Sequence, residues 1–262
     1  MTSELIKDIP STMESYDFFL KREVGCSLFE IATAAADAEH EEMKEKIRKS
    51  RIGIIPITAG QGVIEGFSDA VKAILEYMGA DAFITKPDVV GLAEAVEKGA
   101  DLIFAGDDEL VAMINLNTRK VVPNYIATGY GFAQALCIAV GNCKDRDVLV
   151  IGTGKVGKAA IELLKKREAN VMVYDVKDEE IDGVVRVRSV EEGIKKMKDV
   201  KLIVEATPSK DTIRGELVDG ETYISAPGVP LGVDDVGIGR AKVVIHDVLQ
   251  IGVATMLTLS LR

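Results

Sequence analysis

The chain has 262 residues, 47% of them hydrophobic, and a formal net charge of −10. That length fits one large or two modest domains, and the apolar fraction is ample for a buried core. The acidic balance argues against a protein built to neutralise nucleic-acid phosphates, and no stretch of about 20 unbroken apolar residues is present to span a bilayer, so neither a nucleic-acid nor a membrane partner is expected.

The first residues, MTSELIKDIPSTMES, have neither the basic start nor the apolar run of a secretory signal. Residues 1–50 read as helical. Ser3 caps a short first helix with Leu5, Ile6 and Ile9 on its apolar face, and Pro10 ends it. Ser11 or Thr12 caps a second, with Met13, Tyr16, Phe19 and Leu20 spaced for one face, and a third runs from about Leu28 to Lys49. These helices are expected to cover the first domain, either as a fixed layer or as a mobile lid.

IGIIPI, at 52–57, reads as a buried strand, followed by the polar, glycine-rich loop Thr58-Ala59-Gly60-Gln61-Gly62. A helix with Val63, Phe67, Ala70, Val71 and Ile74 on its apolar face comes next. Phe83 to Thr85 is a short strand, Pro87-Asp88 opens a helix to Lys98, and Leu102 to Ala105 is a third strand, ended by Gly106-Asp107-Asp108. Such alternation predicts a parallel sheet with ligands at the carboxyl ends of its strands, where the loops at 58–62 and 106–108 fall. Asn115 to Lys120 is a polar turn, Val121 to Asn124 an extended piece, and an Ala-rich helix from about Thr128 to Gly141 connects to the second domain. The domains are drawn at 1–127, helices plus an α/β substrate domain, and 128–262, a Rossmann-type doubly wound parallel sheet with the C-terminal helix.

Asp147 to Asp175 reads DVLVIGTGKVGKAAIELLKKREANVMVYD and organises the second domain. An apolar strand at 148–152 leads into Gly152-Thr153-Gly154-Lys155-Val156-Gly157 and then a helix with Val156, Ala159, Ala160, Leu163 and Leu164 on one face. Gly152 permits the tight turn out of the strand, Gly154 leaves the backbone open to a pyrophosphate, and Gly157 lets helix and strand pack closely. The helix N-terminus offers free N–H groups and a positive dipole end to the phosphates. Asp175, at the end of the next strand, can accept both ribose hydroxyls, and its charge predicts NAD over NADP. Val184 to Val187, Leu202 to Ala206, Tyr223 to Ser225 and Lys242 to Ile245 read as further strands, with a helix at 190–197 and a last, mostly apolar helix at 248–261. The strand ends Glu205-Ala206-Thr207-Pro208 and Ala226-Pro227-Gly228 are the expected wall for the nicotinamide half of the cofactor.

Cys26, Cys137 and Cys143 show no CxxC spacing, which predicts reduced, buried side chains in a cytoplasmic protein. With only two histidines, His40 and His246, a zinc or Ser-His-Asp mechanism has little to work with, and no metal is expected.

The segments GIIPITAGQGVIEGFSDAV, FAGDDE, DVLVIGTGKVG, VEATPSKDTI, SAPGVP and IGVATML, in this order, resemble the pyrrolysine biosynthesis dehydrogenases of the PylD family from about residue 50 to the end. The resemblance implies a two-domain enzyme that oxidises 3-methyl-D-ornithyl-Nε-L-lysine, a small dipeptide-like substrate, with NAD. The terminal amine is removed and the pyrroline ring of pyrrolysine closes. In the family an N-terminal helix covers the site, which makes Leu5 a candidate contact. A hydride must leave a carbon that bears a neutral amine, so the site needs carboxylates to orient cationic amines and a path for protons. Asp107 and Asp108 are the first candidates, with Asp247 after the last strand a third and His246 beside it a candidate proton carrier. Thr58, Gln61 and Ser68 are candidates for neutral hydrogen bonds to the substrate. Two positions depart from the family pattern: Ala59 stands where a serine is expected, which excludes a hydroxyl role there, and Gln61 where a shorter asparagine is expected. A homodimer is the expected assembly. Two other readings compete: another two-domain NAD-linked dehydrogenase of the amino-acid or methylenetetrahydrofolate type, marked by a first-domain catalytic lysine or histidine, and a non-catalytic NAD-sensing regulator.

Overall fold

Short buried strands alternating with amphipathic helices build two α/β units in the computed structural model, which describes residues 2–60, 62–177, 180–198 and 200–262. One unit comprises Met1–Phe19, Ser27–Ala127 and Leu249–Arg262; the other comprises Leu20–Cys26 and Thr128–Val248.

The chain opens with α1 (Ser3–Ile6) and α2 (Ile9–Glu23), followed by α3 (Leu28–Ala35) and α4 (His40–Lys49). Pro10 does not end a helix as expected; it sits in the first turn of α2, where its missing N–H would have no intrahelical partner. The single helix expected over 28–49 is broken at 36–39. Ser27 and Glu30 form a capping box that starts α3, Asp37 takes a positive φ of 49°, and the Glu39 side chain accepts the Glu41 and Glu42 amides to start α4 afresh.

The first unit's sheet holds β1 (Arg51–Ile55), β2 (Asp81–Ile84), β3 (Leu102–Gly106), β4 (Val111–Asn115) and β5 (Lys120–Pro123), in the order β2-β1-β3-β4-β5. The helices α5 (Phe67–Tyr77) and α6 (Asp88–Glu97) make the crossovers that leave β1, β2 and β3 parallel. The fully parallel sheet expected for this half does not form: β4 and β5 run antiparallel. The physical reason is connection length. Residues 107–110 form a tight turn, Asp107 N–H to the Leu110 carbonyl at 3.1 Å, and a parallel crossover needs a dozen or more residues.

The connecting helix α7 (Asn124–Ala139) begins four residues earlier than the sequence spacing indicates. The second unit then runs β6 (Asp147–Ile151), α8 (Lys155–Lys166), β7 (Asn170–Tyr174), β8 (Val185–Arg186), α9 (Val190–Lys196), β9 (Lys201–Glu205), β10 (Thr222–Ser225), α10 (Asp235–Arg240) and β11 (Val243–Ile245). All its strand pairs are parallel, in the order β11-β10-β9-β6-β7-β8. Side chains alternate across the sheet, so Val148 and Val150 of β6 join one core with Leu163 and Leu164, while Leu149 and Ile151 join another with Ile194 and Ile203. The sheet grows outward in both directions from β6 and β9. The crevice at their carboxyl ends is therefore a topological switch point, where doubly wound sheets bind ligands. The helix α10, absent from the sequence reading, is started by the Asp234 side chain, which accepts the Gly237 amide at 2.6 Å.

The last helix, α11 (Gln250–Leu261), is buried along nearly its whole length and packs on α3, α5 and β4 of the first unit, outside the 128–262 grouping drawn from sequence. Asn115 Nδ2 donates to the Ser260 carbonyl at 2.9 Å and Lys120 Nζ to the Leu259 carbonyl at 2.7 Å. These bonds satisfy carbonyls that a helix C-terminus leaves open.

The cysteines correct the sequence reading. Cys137 and Cys143 are bonded, with Cα atoms 4.9 Å apart, while Cys26 is not part of a disulfide. The chain reverses after α7 through Gly141, at φ +88°, and returns Cys143 to the helix's last turn. A reversal of that kind leaves no spacing signature of the CxxC type. Among the described residues no helix is long and apolar enough to cross a membrane.

Candidate functional site

In the second unit the β6–α8 turn floors a cleft of about 830 Å³. Gly152 takes φ +91°, a left-handed conformation that turns the chain sharply from strand to helix. A Cβ on Gly157 would lie 1.9 Å from the Gly152 carbonyl oxygen, so only glycine lets α8 start this close to β6. At Gly154 the same construction meets nothing within 4 Å. Gly154 is also the N-cap of α8 and offers no side chain to its first turn. Open space over uncapped N–H groups at a positive helix end is a fit for a pyrophosphate.

Asp175 stands at the end of β7 on the cleft wall. Its Oδ2 accepts the Thr153 amide at 2.6 Å and the Thr153 hydroxyl at 3.0 Å, and its Oδ1 accepts the Lys177 amide at 2.8 Å. Burial alone would raise its pKa; the amides of Thr153 and Lys177, the Thr153 hydroxyl and the Lys177 charge outweigh it and hold the carboxyl below the usual carboxylate range. Arg186 donates to the carbonyls of Asp175 and Lys177, at 2.9 and 2.7 Å, and fixes the backbone that carries the acid.

Of the other residues expected at the cofactor, Gly152, Thr153, Gly154, Lys155, Ala206, Thr207 and Pro208 line this cleft. Val156, Gly157, Pro227 and Gly228 do not. The Val156 carbonyl faces Gly129 of α7, and Gly228 packs beneath the Thr207 backbone. Sequence reasoning missed Lys158, Ser189, Glu191, Ser209 and Thr212, which also line it. Lys158 was within reach, one helical turn after Gly154. Ser189 also had a sign: it precedes α9 with Glu192 three residues on, and it caps that helix by accepting the Glu192 amide at 3.1 Å.

The first unit has a smaller pocket of its own, about 180 Å³, with Ile55, Phe67 and Phe104 among its apolar lining and Ser68, Asp107 and Asp108 among its polar lining. The two acids differ. Asp107 Oδ1 accepts the amides of Glu109 and Leu110, both at 2.9 Å, and these bonds hold its pKa down. Asp107 thus ties the β3–β4 turn. The Asp108 carboxylate leans on the 58–62 loop, where a Cβ at Gly60 would come within 2.3 Å of Oδ2. Thr58 is already bonded: its amide and hydroxyl donate to the two carboxylate oxygens of Asp88, at 2.9 and 2.5 Å. Asp88, at the start of α6 with φ +58°, is a loop-setting residue that sequence reasoning passed over. Gln61 lies outside the described residues.

Leu5 stands half-exposed on α1. Asp247 is buried just beyond β11, and His246 Nδ1 lies 2.7 Å from the Ala226 carbonyl oxygen. That bond ties the end of β11 to the segment following β10.

Comparison with known proteins agrees with both units. The family profile described as "Pyrrolysine biosynthesis protein PylD, N-terminal domain" matches residues 6–122, and an NAD(P)-binding family matches residues 139–216. A pyrrolysine synthase of Methanosarcina barkeri is 33% identical over 210 residues, covering 79% of this chain and 80% of that protein. One of Methanosarcina acetivorans is 33% identical over 215 residues, covering 79% and 81%. Among solved structures, the bifunctional methylenetetrahydrofolate dehydrogenase/cyclohydrolase of Campylobacter jejuni is similar with a TM-score of 0.57 at 13% identity, covering 94% of this chain and 95% of that one. The corresponding Thermoplasma acidophilum enzyme reaches 0.56 at 12%, covering 88% and 94%. At such identities the likeness is one of fold alone.

Proposed function

The chain belongs to the PylD family of pyrrolysine biosynthesis and carries an NAD(P)-binding domain, and on that premise we propose that it oxidises the terminal amine of 3-methyl-D-ornithyl-Nε-L-lysine with NAD, with loss of ammonia and closure of the pyrroline ring. The observation that carries the cofactor half is the pairing of an open Gly154 cradle with a charged acid at the end of the next strand. The α8 N-terminus takes the pyrophosphate, and Asp175 accepts from the ribose hydroxyls. Its negative charge opposes the 2′-phosphate of NADP. Bound there, the oxidised nicotinamide supplies the acceptor for the hydride that leaves the amine-bearing carbon.

The first unit's residues carry the substrate half. A pocket with apolar walls and a carboxylate at its rim suits an alkyl chain that ends in an amine. Asp108 orients that amine and receives its proton, because an ammonium has no lone pair with which to form an imine. Ser68, in the first turn of α5, offers a neutral hydrogen bond. Asp107 keeps the turn beneath Asp108 in shape. Asp247 is a reserve carboxylate, Leu5 an apolar contact for the substrate, and ring closure is an intramolecular attack that needs little beyond a held chain.

The test is NADH absorbance on mixing purified protein, NAD and 3-methyl-D-ornithyl-Nε-L-lysine, with mass spectrometry of the product. NADH together with the mass of pyrrolysine is the expected result. Tight NAD binding without NADH would defeat this substrate assignment.

A further inference from the structure

Glu205 is the last residue of β9, directly beside Ile151 of β6, and it is fully buried. A carboxyl removed from water needs partners for both oxygens. Its Oε1 accepts the Thr207 amide at 3.0 Å and the Thr207 hydroxyl as well. Its Oε2 has no hydrogen-bond partner among the described residues. Backbone closes around it instead: a Cβ at Gly228 would lie 2.8 Å from Oε2, and one at Gly232 would lie 2.5 Å away. The Gly228 amide also donates to the Glu205 carbonyl, at 3.3 Å. One side chain therefore touches both the turn at 206–212 and the turn at 226–232.

Packing does not require an acid at this place. A methionine has similar length and fills space without desolvating a carboxyl. Burial pushes the pKa of Glu205 up, and the hydroxyl and amide of Thr207 only partly reverse this. Oε1 keeps its two accepted bonds, and Oε2 lies against the backbone of Gly228 and Gly232. Thr207 passes the constraint outward. It lines the dinucleotide cleft with Ala206 and Pro208, its hydroxyl accepts the Ser209 amide at 3.3 Å, and it lies 3.2 Å from the Thr212 hydroxyl.

We propose that Glu205 is a positioning residue whose carboxyl ties the 206–212 turn to the 226–232 turn, and so sets where Ala206, Thr207 and Pro208 stand in the wall of the dinucleotide cleft. The effect on the cofactor rests on the dinucleotide reading of that cleft; the tie between the turns does not.

Two readouts on the full chain test it. The first is backbone hydrogen exchange by mass spectrometry in cofactor-free protein. Glu205→Met is expected to speed exchange in 206–212 and 226–232 by about tenfold, the scale of one lost buried hydrogen bond, with the β6 and β9 strands unchanged. Glu205→Gln, which keeps an acceptor for Thr207, is expected to match wild type. The second is NAD affinity by calorimetry, expected to fall about tenfold in Glu205→Met and to survive in Glu205→Gln. A Glu205→Met protein with wild-type exchange in both turns overturns the proposal, as does a Glu205→Gln protein as loosened as Glu205→Met. Should Glu205→Met fail to fold, Thr207→Val decides. It removes one bond to Oε1 and is expected to loosen 226–232, in the other turn; unchanged exchange there overturns the tie. A wild-type protein that bound no NAD would count against the cofactor reading, while exchange would still decide the role of Glu205.

Discussion

The turn after β6 and the turn after β3 both sit at carboxyl strand ends, but one is made of backbone and the other of side chains. After β6 the proposed ligand groups are the N–H donors of α8, open because Gly154 has no side chain to cover them, while Gly152 and Gly157 let the chain turn and α8 pack close to β6. After β3 the working groups are carboxylates, and Asp107 is held by the amides of its own turn. Thr58, in the loop after β1, is similarly committed to Asp88. A backbone site fails when anything is added to it. A side-chain site fails only when the one group that faces the ligand is removed, and its neighbours tolerate replacement by any residue that keeps their bonds.

The largest effect should therefore follow an addition in the second unit. Gly157→Ala places a methyl group 1.9 Å from the Gly152 carbonyl oxygen, so α8 must move away from β6. NAD affinity is expected to fall by about a hundredfold or more, since both the turn and the helix end proposed to hold the pyrophosphate are displaced. Calorimetry checks it, with circular dichroism to show that the fold persists. Normal NAD binding by a folded Gly157→Ala protein would mean that the close approach of α8 to β6 does not set the cradle.

The next effect divides the two acids of the first unit. Asp108→Asn is expected to lower turnover by about tenfold or more with NAD affinity unchanged, because an amide cannot take the proton of the reacting amine. Asp107→Asn keeps an oxygen that still accepts the Glu109 and Leu110 amides, and turnover should change by no more than about threefold. Steady-state NADH formation measures both. Equal losses would show that Asp107 does more than hold the turn.

The same contrast explains what the sequence made legible. The β6–α8 turn was readable because each glycine answers a steric demand, and steric demands are written into residue type. The chain's alternation of apolar runs gave most strands for the same reason. The β4 strand, VAMIN, went unread because a hairpin depends on the length and bonding of the turn before it. That turn's ties run from Asp107 to Leu110, a pattern two adjacent acids do not announce. The break at 36–39 depends on a positive φ at Asp37 and a cap by Glu39, an uncommon capping residue. The Cys137–Cys143 pairing depends on a helix ending at Ala139, and Asp88 on a loop folding back to it from Thr58. Glu205 read as the first residue of a strand-end motif in the cofactor wall, but its full burial against Gly228 and Gly232 depends on a turn more than 20 residues further along the chain.

The smallest effect concerns Asp175, where backbone and side chain meet. Its folded-state pKa is depressed, so the stabilisation it contributes is present above the unfolded value, about 3.9 for an aspartate, and is lost as pH falls through the folded value. The bonds from Thr153 and Lys177 act on a partly exposed group and are worth about 1 kcal/mol after screening, or about 2–4 °C in Tm. Asp175→Asn should then melt below wild type by that margin at neutral pH. The gap should close as pH falls below the unfolded value and on through the lower folded value, where the wild-type carboxyl takes up its proton. Thermal melts of both proteins across that range check the sign. A gap that persisted unchanged into acid would show that Asp175 contributes through its shape and not its charge. It would also remove the argument that this charge selects NAD over NADP.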